Sequence, residues 1–154
     1  GQAAGIAATV GLVLLFLVCR YGNERADQMT QRDVAAVERL YAVAPPGSLL
    51  VAASGNLPWK YRDVERYTYV SEASYLEDLP ALAYTMSDRA YPAAYLILTG
   101  SQAAYLEMFE GLTPAAWDGF VTGLRSSENF EEIHHDGDAS IFMLRGRGDA
   151  PGAR

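Results

Sequence analysis

The chain has 154 residues, half of them hydrophobic, and a net charge of −7. That length suits one domain of ordinary size with something attached, and the apolar share is enough for a real core. The acidic balance argues against a nucleic-acid partner, which would need Lys and Arg gathered on one face, and the single lysine, Lys60, leaves no polybasic membrane-surface patch.

The chain opens on AAGIAATVGLVLLFLVC (3–19), which carries no charge and one polar side chain, Thr9. At about 1.5 Å per residue this run spans roughly 25 Å, a little short of the ~30 Å hydrocarbon core of a bilayer. A secretory signal would begin with basic residues and end in a small-residue cleavage site, and neither is present. A buried helix of a soluble core would show a polar face, and none exists over four turns. The expectation is therefore the C-terminal part of a transmembrane helix over 1–20. The span and the missing initiating Met suggest a piece of a longer polypeptide. Gly1, Gly5 and Gly11, with Ala4, Ala7 and Ala8, would let a neighbouring helix approach closely. Arg20, Arg25, Arg32 and Arg39 follow the run and favour a cytoplasmic C-terminal side. The only cysteine, Cys19, ends the run, so an intramolecular disulfide and a cysteine zinc site are excluded.

Residues 21–46 read as a linker. Within them, 26–44 have helical periodicity: Thr30, Val34, Val37 and Tyr41 form one stripe and Met29, Ala36, Leu40 and Val43 an adjoining one. Asp27, Arg32, Asp33, Glu38 and Arg39 are expected on the opposite, solvated side. APPG (44–47) stops the helix. The segment 47–145 is expected to be the folded domain. SLLVAAS (48–54) reads as a buried strand, GNLPWKYRDVER (55–66) as a loop and YTYV (67–70) as a second strand. SYLE (74–77) fits a capping box on Ser74 and Glu77, with Pro80 splitting the helix it opens.

AYLILTG (94–100) is the strongest strand. Ser101 is expected to cap the helix that follows, in which Tyr105 and Phe109, and Ala104 and Met108, lie four apart. Thr113 and Pro114 restart a helix with a buried stripe of Trp117, Phe120, Val121 and Leu124. NFEEIHH and ASIFMLR are strands joined at Asp136-Gly137, a hairpin signal. The order implies an α/β fold, a small three-layer-like domain. Its sheet is partly parallel, with helices on its faces and a C-terminal β-hairpin. The tail 146–154 is expected to be disordered, and its Arg147-Gly148-Asp149 reads as a chance tripeptide.

In such a sheet the natural ligand crevice lies at the carboxyl ends of the strands. That brings Ser54, Gly55 and Asn56 beside Thr99, Gly100 and Ser101, either as an anion-holding crevice or as an ordinary strand-to-helix turn. Neither GxGxxG nor GxxxxGK[ST] occurs there. His134, His135, Asp136 and Asp138 have metal-ligand chemistry, but strand alternation points the two histidines to opposite faces, so a polar hairpin end is the better reading and no metal is expected. Asn56, Trp59, Tyr61, Arg62 and Tyr67 are the candidate carbohydrate or acceptor contacts. Their aromatics would either stack on sugar rings or lid the core. No nucleophile–base pair stands out, so no catalytic residue and no cofactor is expected.

A membrane run, a linking helix, PPGSLLVAASGNLPW, YLILTGSQAAYLEMFEGL and the FEEIHHDGDASIFML hairpin together resemble a known architecture. It is the C-terminal extracytoplasmic region of multi-spanning bacterial membrane glycosyltransferases of the GT-C type, here with an actinobacterial-like composition. The resemblance covers about residues 1–144. It implies an outward-facing accessory domain of an enzyme that uses a polyprenyl-phosphate-sugar donor. Such a domain would position an acceptor or brace the membrane part. Its partners would be the rest of the parent protein, the membrane, and a polysaccharide or lipid-linked sugar. The family's catalytic carboxylates lie in loops outside this stretch. Two other readings stand beside it: a membrane-anchored interaction or sensor module without sugar chemistry, and a small α/β enzyme using Ser54, Asn56 and Thr99.

Overall fold

A computed structural model describes residues 2–21, 29–62 and 64–146. Helix α1 (Gln2–Tyr21) forms over the apolar run. The seven consecutive side chains Leu12 to Val18 are each 42–68% exposed, and seven residues go almost twice around a helix, so no side of it is covered. The transmembrane stub expected over 1–20 does not emerge: among the described residues no helix is long and apolar enough to cross a membrane. The first part of the linker, 22–28, the tail 147–154 and its Arg-Gly-Asp tripeptide lie outside the described residues.

Helix α2 (Gln31–Val43) starts later than its periodicity predicts because Thr30 caps it. Thr30 Oγ1 accepts from Asp33 N at 3.2 Å, and Asp33 Oδ2 accepts from Thr30 N at 2.6 Å. This reciprocal capping box explains why Asp33 is buried rather than on the solvated side where the charge pattern put it. Ala36, Val37 and Leu40 make the buried stripe. At the other end, the hydroxyls of Tyr95 and Tyr67 donate to Val43 O and Ala44 O, carbonyls the helix leaves without intrahelical partners.

The sheet contains β1 (Leu49–Ala52), β2 (Thr68–Ser71), β3 (Ala94–Leu98), β4 (Phe130–Asp136) and β5 (Ala139–Leu144) in the order β2-β1-β3-β5-β4. The first three are mutually parallel, and β5 and β4 close the sheet antiparallel. Every residue of β1 and β3 is buried, as unbroken apolar runs covered on both faces should be. Leu50, Ala52, Ile97 and Ile141 face α2. Leu49, Val51, Leu96, Leu98 and Phe142 face the opposite layer. That layer comprises α3 (Leu79–Met86), α4 (Gly100–Phe109) and α5 (Pro114–Ser126), which contribute Leu82, Met86, Leu106, Phe120 and Leu124. The small three-layer α/β domain with a mixed sheet and a terminal hairpin is thus present.

Several local expectations change. Ser74 is not a cap: Glu72 accepts from Ser74 N and opens a 3-10 turn, Ala73–Leu76. Asp78 then caps α3, and Pro80 sits in its first turn instead of dividing it, where its missing N–H costs nothing. Ser101 is inside α4, whose first flanking residue, Thr99, makes no side-chain cap bond. Thr113 does cap α5, accepting from Ala116 N, with Pro114 first in the helix. Trp117 and Val121, expected in the buried stripe, are only half-buried, and their exposed sides line a groove.

Candidate functional site

Three places carry the polar and aromatic side chains of interest. The first is the carboxyl end of β1 and β3. Here the fold brings Ser54, Asn56, Thr99 and Ser101 together, as the strand order requires. Ser101 Oγ donates to Asn56 O at 3.1 Å and lies 3.0 Å from Thr99 Oγ1, while Asn56 Nδ2 donates to Ser101 O at 3.0 Å. Gln102, which sequence reading passed over, fills the space between them. Its Oε1 accepts from Ala53 N and Ser54 N, and its Nε2 donates to Ile97 O. Gln102 and Thr99 have no exposed surface, and Ser54 and Ser101 retain only 6% and 3%. The expected crevice is therefore a closed polar latch between the two strand ends. Its hydroxyls and amides bond to one another and to the backbone at the two strand ends.

The second place is the aromatic stretch 57–69. Trp59 and Tyr67 are in the core, not on the surface where a carbohydrate would meet them. They pack under α2: Tyr67 stacks on Tyr41 with centroids 5.2 Å apart, and Trp59 meets Tyr69 edge-on at 5.0 Å. Among the described residues between β1 and β2 the helical structure is a 3-10 turn, Val64–Arg66, and bulky rings supply the apolar cover. Of the five candidate contacts, Tyr61 and Arg62 are exposed and Asn56 is half-buried, and the Arg62 guanidinium lies 5.3 Å over the Tyr61 ring. Lys60 and Arg66 cover Tyr69 and Tyr67 in the same way. Tyr41 donates to or accepts from Tyr69 across 3.0 Å, and burial followed by that bond pushes its phenol well above the usual range. This stretch is the lid of the core.

The third place was not expected as a site, although His135 and Asp138 in it have metal-ligand chemistry. A cleft of about 570 Å³ lies between α4, α5 and the β4–β5 turn. Its α4 wall is low, built from Gly100 and Ala103, and Trp117 of α5 faces it. One end is closed by a charged network. Arg125 donates to both carboxylate oxygens of Glu132, Nε to Oε2 at 2.9 Å and Nη2 to Oε1 at 2.7 Å. His135 Nδ1 lies 3.2 Å from Arg125 Nη2 and 3.1 Å from Ser140 Oγ. The bonds from Arg125 hold the Glu132 carboxyl below its usual range, and the same bonds raise Arg125.

A β-bulge makes this network possible. Glu132 pairs with Phe142 but His134 pairs with Ile141, leaving Ile133 extra, so Glu132 and His135 fall on the α5 side although they are three apart. His134 is opposite Ile141, on the α2 side, so the two histidines do point to opposite faces. Among the described residues no group of three or more His, Cys, Asp or Glu converges as metal ligands would. Asp138 follows Gly137 in the two-residue turn, lies 3.9 Å from Arg32, and packs so tightly on Gly100 that a Cβ there would overlap its carboxylate. Asp118 and Thr122 complete the polar rim. No protein-family model, curated protein or solved structure matches this chain.

Proposed function

We propose that the chain is an extracytoplasmic accessory domain, with its adjoining membrane helix stub, of a membrane glycosyltransferase that uses a polyprenyl-phosphate-sugar donor. The domain is not catalytic alone; it positions the acceptor or braces the membrane part. The observation that carries the reading is α1. Seven consecutive apolar side chains, Leu12 to Val18, stand uncovered all round a helix, and each large apolar side chain left in water forgoes about 1.5–3 kcal/mol of burial. A helix of that character calls for lipid or other apolar helices around it. The closed latch at Ser54, Thr99 and Gln102 supports an accessory role, because the place where an open α/β sheet usually works has been filled from within. The resemblance in element order supplies the glycosyltransferase part and the outward orientation.

The test is sugar transfer from a radiolabelled polyprenyl-phosphate-sugar donor. It is run with membranes containing the complete native gene product and with residues 1–154 alone. Transfer by the former and none by the latter is expected. No transfer by the complete product with any such donor, or turnover by residues 1–154 alone, would overturn the proposal.

A further inference from the structure

The groove between α4 and α5 has no part in the reading above except to lie on the same domain. We propose that it binds a neutral, polyhydroxylated ligand, a short glycan segment held on the Trp117 indole and the Asp118 carboxylate. This rests on the glycosyltransferase reading for its setting and deepens it, because it assigns the groove to the acceptor and not to the phosphate-bearing donor.

The volume, about 570 Å³, is within the ~300–1,000 Å³ of small-molecule sites. The gap is written into the helices: α4 turns Gly100 and Ala103 toward it, and α5 answers with one large ring, Trp117. An indole flanked by an apolar floor (Leu98, Val121) suits the C–H-rich face of a sugar ring, and a carboxylate beside it accepts two O–H bonds from a vicinal diol. The charges decide against an anion. Arg125, the cation facing the groove, is already bound through two N–H groups to Glu132. The Asp138 carboxylate, itself near Arg32, lies against Gly100 at the start of α4, the other place where a phosphate would settle. Both anion positions thus hold a carboxylate of the chain. What remains is a ring-sized apolar surface with hydrogen-bonding groups at its rim.

The chain has two tryptophans, so the indole N–H region of its ¹⁵N spectrum contains two cross-peaks, separable with Trp117→Phe. The full chain in detergent micelles is titrated with neutral hexose trisaccharides to millimolar concentration, and separately with a hexose 1-phosphate. The expected result is a saturable shift of the Trp117 peak with a neutral trisaccharide, no movement of Trp59, and no response to the sugar phosphate. Asp118→Asn, an exposed change that leaves the fold alone, and Trp117→Ala should each weaken binding about 10-fold. A silent Trp117 peak, movement at Trp59 instead, or equal response to the phosphate would overturn the proposal. Those results leave transfer by the complete gene product untouched, so the groove and the glycosyltransferase reading fail separately.

Discussion

Gln102→Leu removes the side chain that closes the latch while nearly keeping its volume. In the native structure Gln102 Oε1 is 3.0 Å from Ala53 N and 3.3 Å from Ser54 N, and the glutamine has no exposed surface. Leucine leaves both N–H groups without that acceptor in a site water does not reach. Each buried donor so stranded costs about 1–3 kcal/mol, and the added apolar burial returns about 1, so the net loss is about 3 kcal/mol. With a urea m-value of about 2 kcal/mol/M the midpoint should fall by about 1.5 M. Urea unfolding followed by circular dichroism measures this, with Ser101→Ala expected to cost about 1 kcal/mol as a smaller cut in the same network. A Gln102→Leu midpoint within about 0.3 M of the native one would refute the claim that the strand ends are joined by this side chain, and would reopen the crevice as a ligand site.

Other outcomes follow from the same structure. Glu132, held below its usual range by Arg125, contributes stability that is present above the ordinary glutamate range and is lost as pH falls through its lowered native value. The advantage of the native chain over Glu132→Gln in thermal unfolding should therefore be full at pH 7 and shrink in acid. Tyr41, raised by burial and then by its bond to Tyr69, and Tyr95, raised chiefly by burial, should ionise above the ordinary tyrosine value, so the tyrosinate absorbance removed by Tyr41→Phe or Tyr95→Phe should belong to the late part of a spectrophotometric alkaline titration. The stability tied to those neutral phenols is intact below the ordinary tyrosine value and declines above it. Gly137 has φ +62°, so Gly137→Ala should destabilise the hairpin by about 1–2 kcal/mol, read as a lowered melting temperature.

The layered fold was legible because its signals are local. The apolar runs at 49–52 and 94–98 are doubly buried strands, Thr113-Pro114 starts a helix, and a glycine at 137 turns a hairpin. What could not be read was set by distant neighbours. Gln102 finds its acceptor role on Ala53 and Ser54, 49 and 48 positions away, and nothing within α4 announces it. The bulge at Ile133 that assembles Glu132, His135 and Arg125 has no residue signature of its own. The burial of Asp33 was available, since Thr30-x-x-Asp33 is a capping box, but helical periodicity alone assigns a charge to water. Trp59 illustrates the converse: aromatics next to cations look like a binding surface, yet the rings turn inward as apolar cover and leave the cations on top.

The account depends most on what surrounds α1, and alkaline carbonate extraction of native membranes tests it most directly. The account expects residues 1–154, expressed on their own, to remain in the membrane pellet, and Leu14→Arg combined with Phe16→Arg to release them. Recovery of the unaltered chain in the supernatant, folded and with Leu12 to Val18 protected from solvent within a water-borne assembly, would contradict it.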